Sequence, residues 1–187
     1  LKDNLQSVSL SANWMWPCKN EGEDARLYKA VEAISEFAID LGINVPTGKD
    51  SLSMKQKYVD QEVIAPGTVI ISAAGECADI SKIVEPVFQP DAGNQIYYID
   101  FSGDALKLGG SSFAQIRNSI GQETPNVNDA SYFMNCFNTV QDLIKKDLLL
   151  AGHDISAGGM LTSLLEMCFA ENDLGANIDL AGIDEKD

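Results

Sequence analysis

One amphipathic run, set between two strand-like stretches, restricts this chain more than any other feature. Leu27, Val31, Ile34, Phe37, Ala38 and Leu41 recur at three- and four-residue steps, the spacing that gathers apolar side chains on one face of a helix. Glu23 and Asp24 complement the positive helix start, and Gly42 follows as a terminator. The spacing predicts a helix over 23–41. Residues 8–14 read as a strand before it. After it come an extended stretch at 44–46, a polar turn from Thr47, a strand over 52–58, a turn over 59–62, and a nearly continuous apolar strand over 68–74 of the kind buried on both faces. Residues 79–84 read as one helical turn.

Pro86, Pro90, Asp91, Gly93 and Asn94 then crowd the stretch 85–95, which marks a domain boundary. Beyond it, 96–101 is strand-like and Gly109-Gly110-Ser111-Ser112 opens a helix through about residue 120. Asn128 or Asp129 caps a longer helix striped by Phe133, Phe137, Val140, Leu143 and Ile144. A short apolar strand at 148–151, a helix over 158–171 with Leu161, Leu164, Leu165 and Cys168 on one face, and a last strand at 177–180 complete the pattern. Strands alternating with helices indicate an α/β or α+β architecture.

Composition narrows the function. With 45% hydrophobic and 22% charged residues the 187-residue chain can build a core, which a disordered chain of such charge could not. Its 28 acids against 13 bases give a net charge of -15, which argues against a binder of the nucleic-acid backbone, since that affinity comes from Lys and Arg displacing counterions. A single nucleotide is not excluded. No stretch reaches the roughly 18 apolar residues of a membrane span, and the first residues are not a signal peptide. Cys18, Cys77, Cys136 and Cys168 form no Cys-x-x-Cys pair, so neither a zinc knuckle nor a redox motif is available, and scattered cysteines fit a reducing cytoplasm. The start at Leu1 and the stop at Asp187, straight after a strand, read as an excised fragment.

Three segments can carry chemistry. In Leu150-Ala151-Gly152-His153-Asp154-Ile155-Ser156-Ala157-Gly158-Gly159 a strand runs into a glycine-bearing turn that starts a helix. Helix-start amides favour anions, the glycines admit a phosphate to the backbone, and Ser156 offers a hydroxyl or caps the helix. Asp154 makes sense beside phosphate as a magnesium ligand; the structural alternative is a Ser-capped helix with Asp154 bonding inside the turn. His153, the single histidine, is either a proton carrier or a structural hydrogen-bonder. The second segment, Thr47-Gly48-Lys49-Asp50-Ser51-Leu52-Ser53-Met54, lacks the upstream glycine and the following helix of a P-loop. It remains a polar loop whose Lys49 suits phosphate and whose Ser51 or Ser53 suits a hydroxylated ligand, or simply a solvated turn. Third, Gly103 with Gly109-Gly110-Ser111 is weak evidence for a site, and Trp14 and Trp16 suit packing or an interface as readily as base stacking.

Read in order, Leu10-Ser11-Ala12-Asn13-Trp14-Met15, Gly22-Glu23-Asp24-Ala25-Arg26-Leu27-Tyr28, Val45-Pro46-Thr47-Gly48-Lys49-Asp50-Ser51-Leu52-Ser53-Met54 and His153-Asp154-Ile155-Ser156 resemble the long, single-chain phosphoribosylformylglycinamidine synthases. The resemblance spans nearly the whole chain. It implies an aminoimidazole ribonucleotide synthetase-like fold: most of an N-terminal half over 1–88, and a truncated C-terminal half over 95–187. It implies an ATP-dependent ligase of purine biosynthesis that makes an amidine from formylglycinamide ribonucleotide with Mg²⁺ and ammonia from glutamine, phosphorylating the amide oxygen before ammonia displaces the phosphate. The alternative within the family is a module that holds ADP and Mg²⁺ without catalysing.

Carried over by position, Asp154 is the metal ligand, Ser156, Gly48 and Lys49 contact nucleotide, and Ser51 contacts substrate. Lys49 and Asp50 replace other residues of the shorter relatives, and Ala157 stands where many relatives have Asp. No residue here is assigned as catalytic. The implied partners are the nucleotide substrate and the rest of the same chain, including a glutaminase domain whose cysteine is none of the four here. Alone, the fragment is expected to be inactive and to self-associate through uncovered strand edges and apolar faces.

Overall fold

The computed structural model describes residues 1–91, 93–171 and 173–180. They form two units, Leu1–Asp79 and Ile80–Asp187. The division falls ahead of the proline-bearing stretch, which is tied to the second unit: the Phe88 amide donates to the Met167 carbonyl (3.0 Å) and the Gly152 amide to the Glu85 carbonyl (3.2 Å). The last seven residues of the expected second half lie outside the described residues.

The first unit is built on strand β1, Ser9–Met15, which is hydrogen-bonded on both edges. Helix α1, Glu23–Leu41, leads from it to β2, Asn44–Ser51, which pairs parallel to β1, while β5, Thr68–Ala74, pairs antiparallel on the other side. A separate hairpin joins β3, Lys55–Lys57, to β4, Glu62–Ile64. Helix α1 ends as the sequence requires, at Gly42 with φ 67°, whose amide closes onto Ala38 and Ile39 carbonyls. Leu27, Ala30, Ile34, Phe37, Ala38 and Leu41 turn inward, Leu41 being only 3% exposed, whereas Val31 lies off the stripe at 40%. Burying a side chain such as Leu41 contributes about 2 kcal/mol. Leu5, Val8, Ala12, Trp16, Pro17 and Ala38 complete this core.

The described residues of the second unit carry three helices: α2, Ser112–Ile116, α3, Ala130–Lys145, and α4, Gly159–Glu166. Asp129 caps α3 through its carboxylate, which accepts from the Ser131 amide (2.8 Å) and the Tyr132 amide (3.0 Å). The Phe133 ring of α3 meets Phe101 edge-on, centroids 5.5 Å apart.

Several expectations are corrected. Residues 47–51 are strand, because pairing with β1 overrides a turn-like composition. Residues 52–54 lie outside the strand expected over 52–58. Strand β5 is largely exposed, not buried on both faces. Residues 79–84 make a turn without a helix, and α2 stops at Ile116, where Asn118 takes φ 52°. Among the described residues of the second unit none is in a strand, so 96–101, 148–151 and 177–180 form no ladder. Helix α4 is shorter than expected and buries a different face. Met160, Ser163, Leu164 and Met167 point inward, while Leu161 and Leu165 are exposed. The apolar side chains of α4, Met160, Leu161, Leu164 and Leu165, cover an arc wider than the face that packs, so the sequence does not declare which edge is buried.

Candidate functional site

The sequence singled out two groups of residues, and they lie on different units. In the first unit Lys49 and Ser51 project from the same face of β2, two residues apart, and the Lys49 ammonium donates to Ser51 Oγ at 2.8 Å. Register places Asn13 beside Lys49 and Met15 beside Ser51, with Ile70 and Thr68 across β1. Together with Ser11, Thr47 and Ser72 these residues make one face of the sheet mostly polar. Gly48 sits on the opposite face, where a side chain would come within 2.3 Å of the Ala12 carbonyl. Glycine there serves strand pairing. Sequence reasoning did not single out Asn13 as a site residue, because it is visible beside Lys49 only through the register.

In the second unit the turn between residue 151 and α4 holds the other group. Asp154 projects its carboxylate into solvent, 88% exposed, and Ser156 is exposed as well. Ser156 does not follow its structural alternative. The cap residue of α4 is Gly158, at φ 93° and without a side-chain cap, while the Ser156 hydroxyl makes no hydrogen bond among the described residues. The Ser156 carbonyl, by contrast, accepts from the Gly159 amide at 3.0 Å. A side chain at Gly158 would meet Thr162 Oγ1 at 2.3 Å, so the approach to the helix start stays open only with glycine. Ala157, exposed beside it, adds no charge.

Behind the turn the contacts are tight. His153 Nδ1 lies 2.7 Å from the Asp154 carbonyl oxygen, Ser163 Oγ donates to that same oxygen at 3.1 Å, and His153 Nε2 stands 3.2 Å from Glu166 Oε2. Ser163 and Glu166 were not legible as site residues. The only signal was a serine inside an apolar helical run.

The donor set limits what metal this turn could take. Among the described residues no three His, Cys, Asp or Glu side chains converge as a cage. Mg²⁺ commonly uses one or two carboxylates, keeps several waters, and takes its remaining ligands from phosphates. One exposed carboxylate beside a helix start therefore fits an ion shared with a nucleotide and does not fit a closed structural site. Two cavities of about 350 and 480 Å³ open elsewhere in this unit, one beside the Lys82–Asp147 ion pair and one beside Phe113 and Arg117. Asp154 and Ser156 line neither, and the chemistry favours the turn.

The other early candidates are structural. Ser111 caps α2, accepting from the Ala114 amide at 3.1 Å, and Gly109 passes so close to the Glu123 backbone that a side chain would clash at 2.4 Å. Trp16 is buried, 6.4 Å from Trp14 between ring centroids, with the Arg26 guanidinium 5.8 Å above its ring. All four cysteines are free thiols. No helix among the described residues is long and apolar enough to cross a membrane.

Comparison with known proteins agrees with the division into two. The family described as FGAR-AT PurM_N-like domain matches residues 2–76, and the family described as AIR synthase related protein, C-terminal domain, matches residues 91–187. The chain is 45% identical, over 95% of its length, to the Arabidopsis thaliana protein named "Probable phosphoribosylformylglycinamidine synthase, chloroplastic/mitochondrial", and covers 13% of it. It is 38% identical, again over 95% of its length, to the Caenorhabditis elegans protein named "Probable phosphoribosylformylglycinamidine synthase", and covers 14% of that one. The chain thus spans about a seventh of the length of the curated relatives it matches.

Proposed function

The chain belongs to the AIR synthase related family, and from that membership we propose that it forms the nucleotide-holding part of an ATP-dependent ligase that converts formylglycinamide ribonucleotide to its amidine with nitrogen from glutamine. The observation that carries this reading is the identity to two synthases along nearly the whole chain, with the Asp154 turn open to solvent. In this reading residues 1–88 and 95–187 are the two synthetase-like halves, and the remainder of the same polypeptide supplies the glutaminase and further metal ligands. The compartment is the cytoplasm.

Within this chain Asp154 holds Mg²⁺ together with the nucleotide phosphates, and the bound ion supplies neutralisation of their charge. Ser156 donates its unengaged hydroxyl to a phosphate oxygen. The amides of Met160 and Leu161, which follow the engaged Gly159 amide in the first turn of α4 and bear the positive end of the helix dipole, do the same. The Lys49 ammonium and the Ser51 hydroxyl, already joined on the polar sheet face, serve nucleotide and substrate respectively, and Gly48 keeps that strand close to β1. The net charge of -15 does not oppose this, because these donors act locally.

The test is an assay of the intact polypeptide carrying this segment for glutamine-dependent release of ADP and amidine from formylglycinamide ribonucleotide. Activity is expected, with turnover lost in Asp154→Asn and Ser156→Ala while both variants fold. Absence of the reaction in the intact protein overturns the reading. Loss of bound ADP with a lower melting temperature, and unchanged turnover per folded molecule, would instead indicate a structural nucleotide module.

A further inference from the structure

Asp154 is aimed by contacts on its backbone. Its carboxylate stands 88% exposed, 3.6 Å from His153 Nδ1, so its own side-chain contacts do little to fix its direction. Its carbonyl oxygen, in contrast, takes two donors at once, His153 Nδ1–H at 2.7 Å and Ser163 Oγ–H at 3.1 Å. A carbonyl can only accept, so Nδ1 carries the hydrogen in this contact. Ser163 is the buried polar residue of the described core, 5% exposed. A helical serine usually returns its hydroxyl to the carbonyl four residues back; here that oxygen, on Gly159, is the more distant one at 3.4 Å. Glu166, one turn further along α4, meets the other edge of the imidazole at 3.2 Å.

We infer that Ser163 and the His153–Glu166 pair are positioning residues, which lock the Asp154 peptide and thereby point its carboxylate at the metal site. The inference rests on the reading of Asp154 as a magnesium ligand. The physical chain is short. A peptide is planar, so two donors converging on one carbonyl fix that plane relative to α4. With the plane fixed, the Asp154 Cα is held in place and the rotations left are those about Cα–C and within the side chain, so the carboxylate meets the ion with less freedom to lose than in an irregular turn. Residues 151–156 have no ladder to supply that order, so the helix supplies it through side chains. None of the three positioning residues needs to touch nucleotide or metal.

The test uses Mn²⁺ in place of Mg²⁺ with ADP on the intact protein, reading bound metal by electron paramagnetic resonance and ADP affinity by titration with and without the ion. Ser163→Ala is expected to weaken Mn²⁺·ADP binding about tenfold, the low end for residues that orient a metal ligand. Metal-free ADP binding should be unchanged, and Ser163→Thr, which restores the hydroxyl, should recover most of the loss. Glu166→Ala, which removes the group facing Nε2 on a half-exposed side chain, should fold normally and weaken Mn²⁺·ADP binding about threefold, the scale of one hydrogen bond. If Asp154→Asn abolishes metal-dependent binding while Ser163→Ala and Glu166→Ala leave it intact, the positioning role is overturned and the metal reading survives. If Ser163→Ala lowers metal-free ADP binding and the melting temperature in step, the serine is merely structural and the inference fails. Should Asp154→Asn itself retain full metal-dependent binding, the ligand assignment fails and takes the inference with it.

Discussion

Residues 9–15 read Ser-Leu-Ser-Ala-Asn-Trp-Met, and residues 96–101 read Ile-Tyr-Tyr-Ile-Asp-Phe. By intrinsic preference the second is much the better strand, being rich in β-branched and aromatic residues. Yet the first is the centre of a sheet, while the second has no ladder and leaves Tyr97 76% exposed. The difference is in what each segment meets. Strand β1 finds β2 on one edge and β5 on the other within its own unit, whereas 96–101 finds no strand among the described residues of its unit. Pairing, and not propensity, makes the strand. The same contrast separates the two candidate groups: Lys49 is held by sheet register, and Asp154 by side chains reaching back from a helix.

Trp16→Ala should break the better-ordered side of this comparison most severely. The indole is buried against Gly67, and its removal is expected to cost about 3–5 kcal/mol. Denaturant unfolding followed through the remaining Trp14, with amide exchange across β1, measures it; exchange at 96–101 should already be fast and stay so. A smaller effect is expected from Asp129→Ala, which removes the carboxylate oxygen that accepts from two amides at the start of α3 and should cost about 1 kcal/mol, read as faster exchange in its first turn. Smallest is a pH effect shared by both units. The Lys107 ammonium, then the Ala105 amide, hold the Asp104 carboxyl below its ordinary range, and Lys55 does the same for Glu62 in the first unit. A carboxylate lowered in the folded state contributes stability that is complete above its unfolded value, near pH 4, and is lost as pH falls through the folded value. Lys107→Met should therefore raise the Asp104 titration midpoint and move acid unfolding of the second unit to slightly higher pH, with the Glu62 titration unmoved.

The sequence was most readable where local signals agree. Helix α1 carries its stripe, its acidic start and its Gly42 stop within 20 residues, and Asp129 sits where a cap belongs. It misled where composition and pairing disagree: Gly48, Lys49, Asp50 and Ser51 look like a turn and form a strand because β1 lies beside them. The Asp154 and Ser156 turn was legible as the approach to a helix, while the strand expected before it forms no ladder. The clamp behind it was not, since the contact from Ser163 to Asp154 crosses nine residues and depends on which face of an apolar helix is buried. Asn13 likewise joins Lys49 only through the register of β1 with β2.

The central claim is that the Asp154 turn holds a nucleotide through a shared magnesium ion. Calorimetric titration of the intact protein with ADP, in saturating Mg²⁺ and again in chelator, tests it most directly when repeated on Asp154→Asn. The account predicts that Mg²⁺ tightens ADP binding at least about tenfold in the unsubstituted protein and that Asp154→Asn abolishes this gain while leaving chelator-measured binding unchanged. An equal gain from Mg²⁺ in both proteins would contradict it.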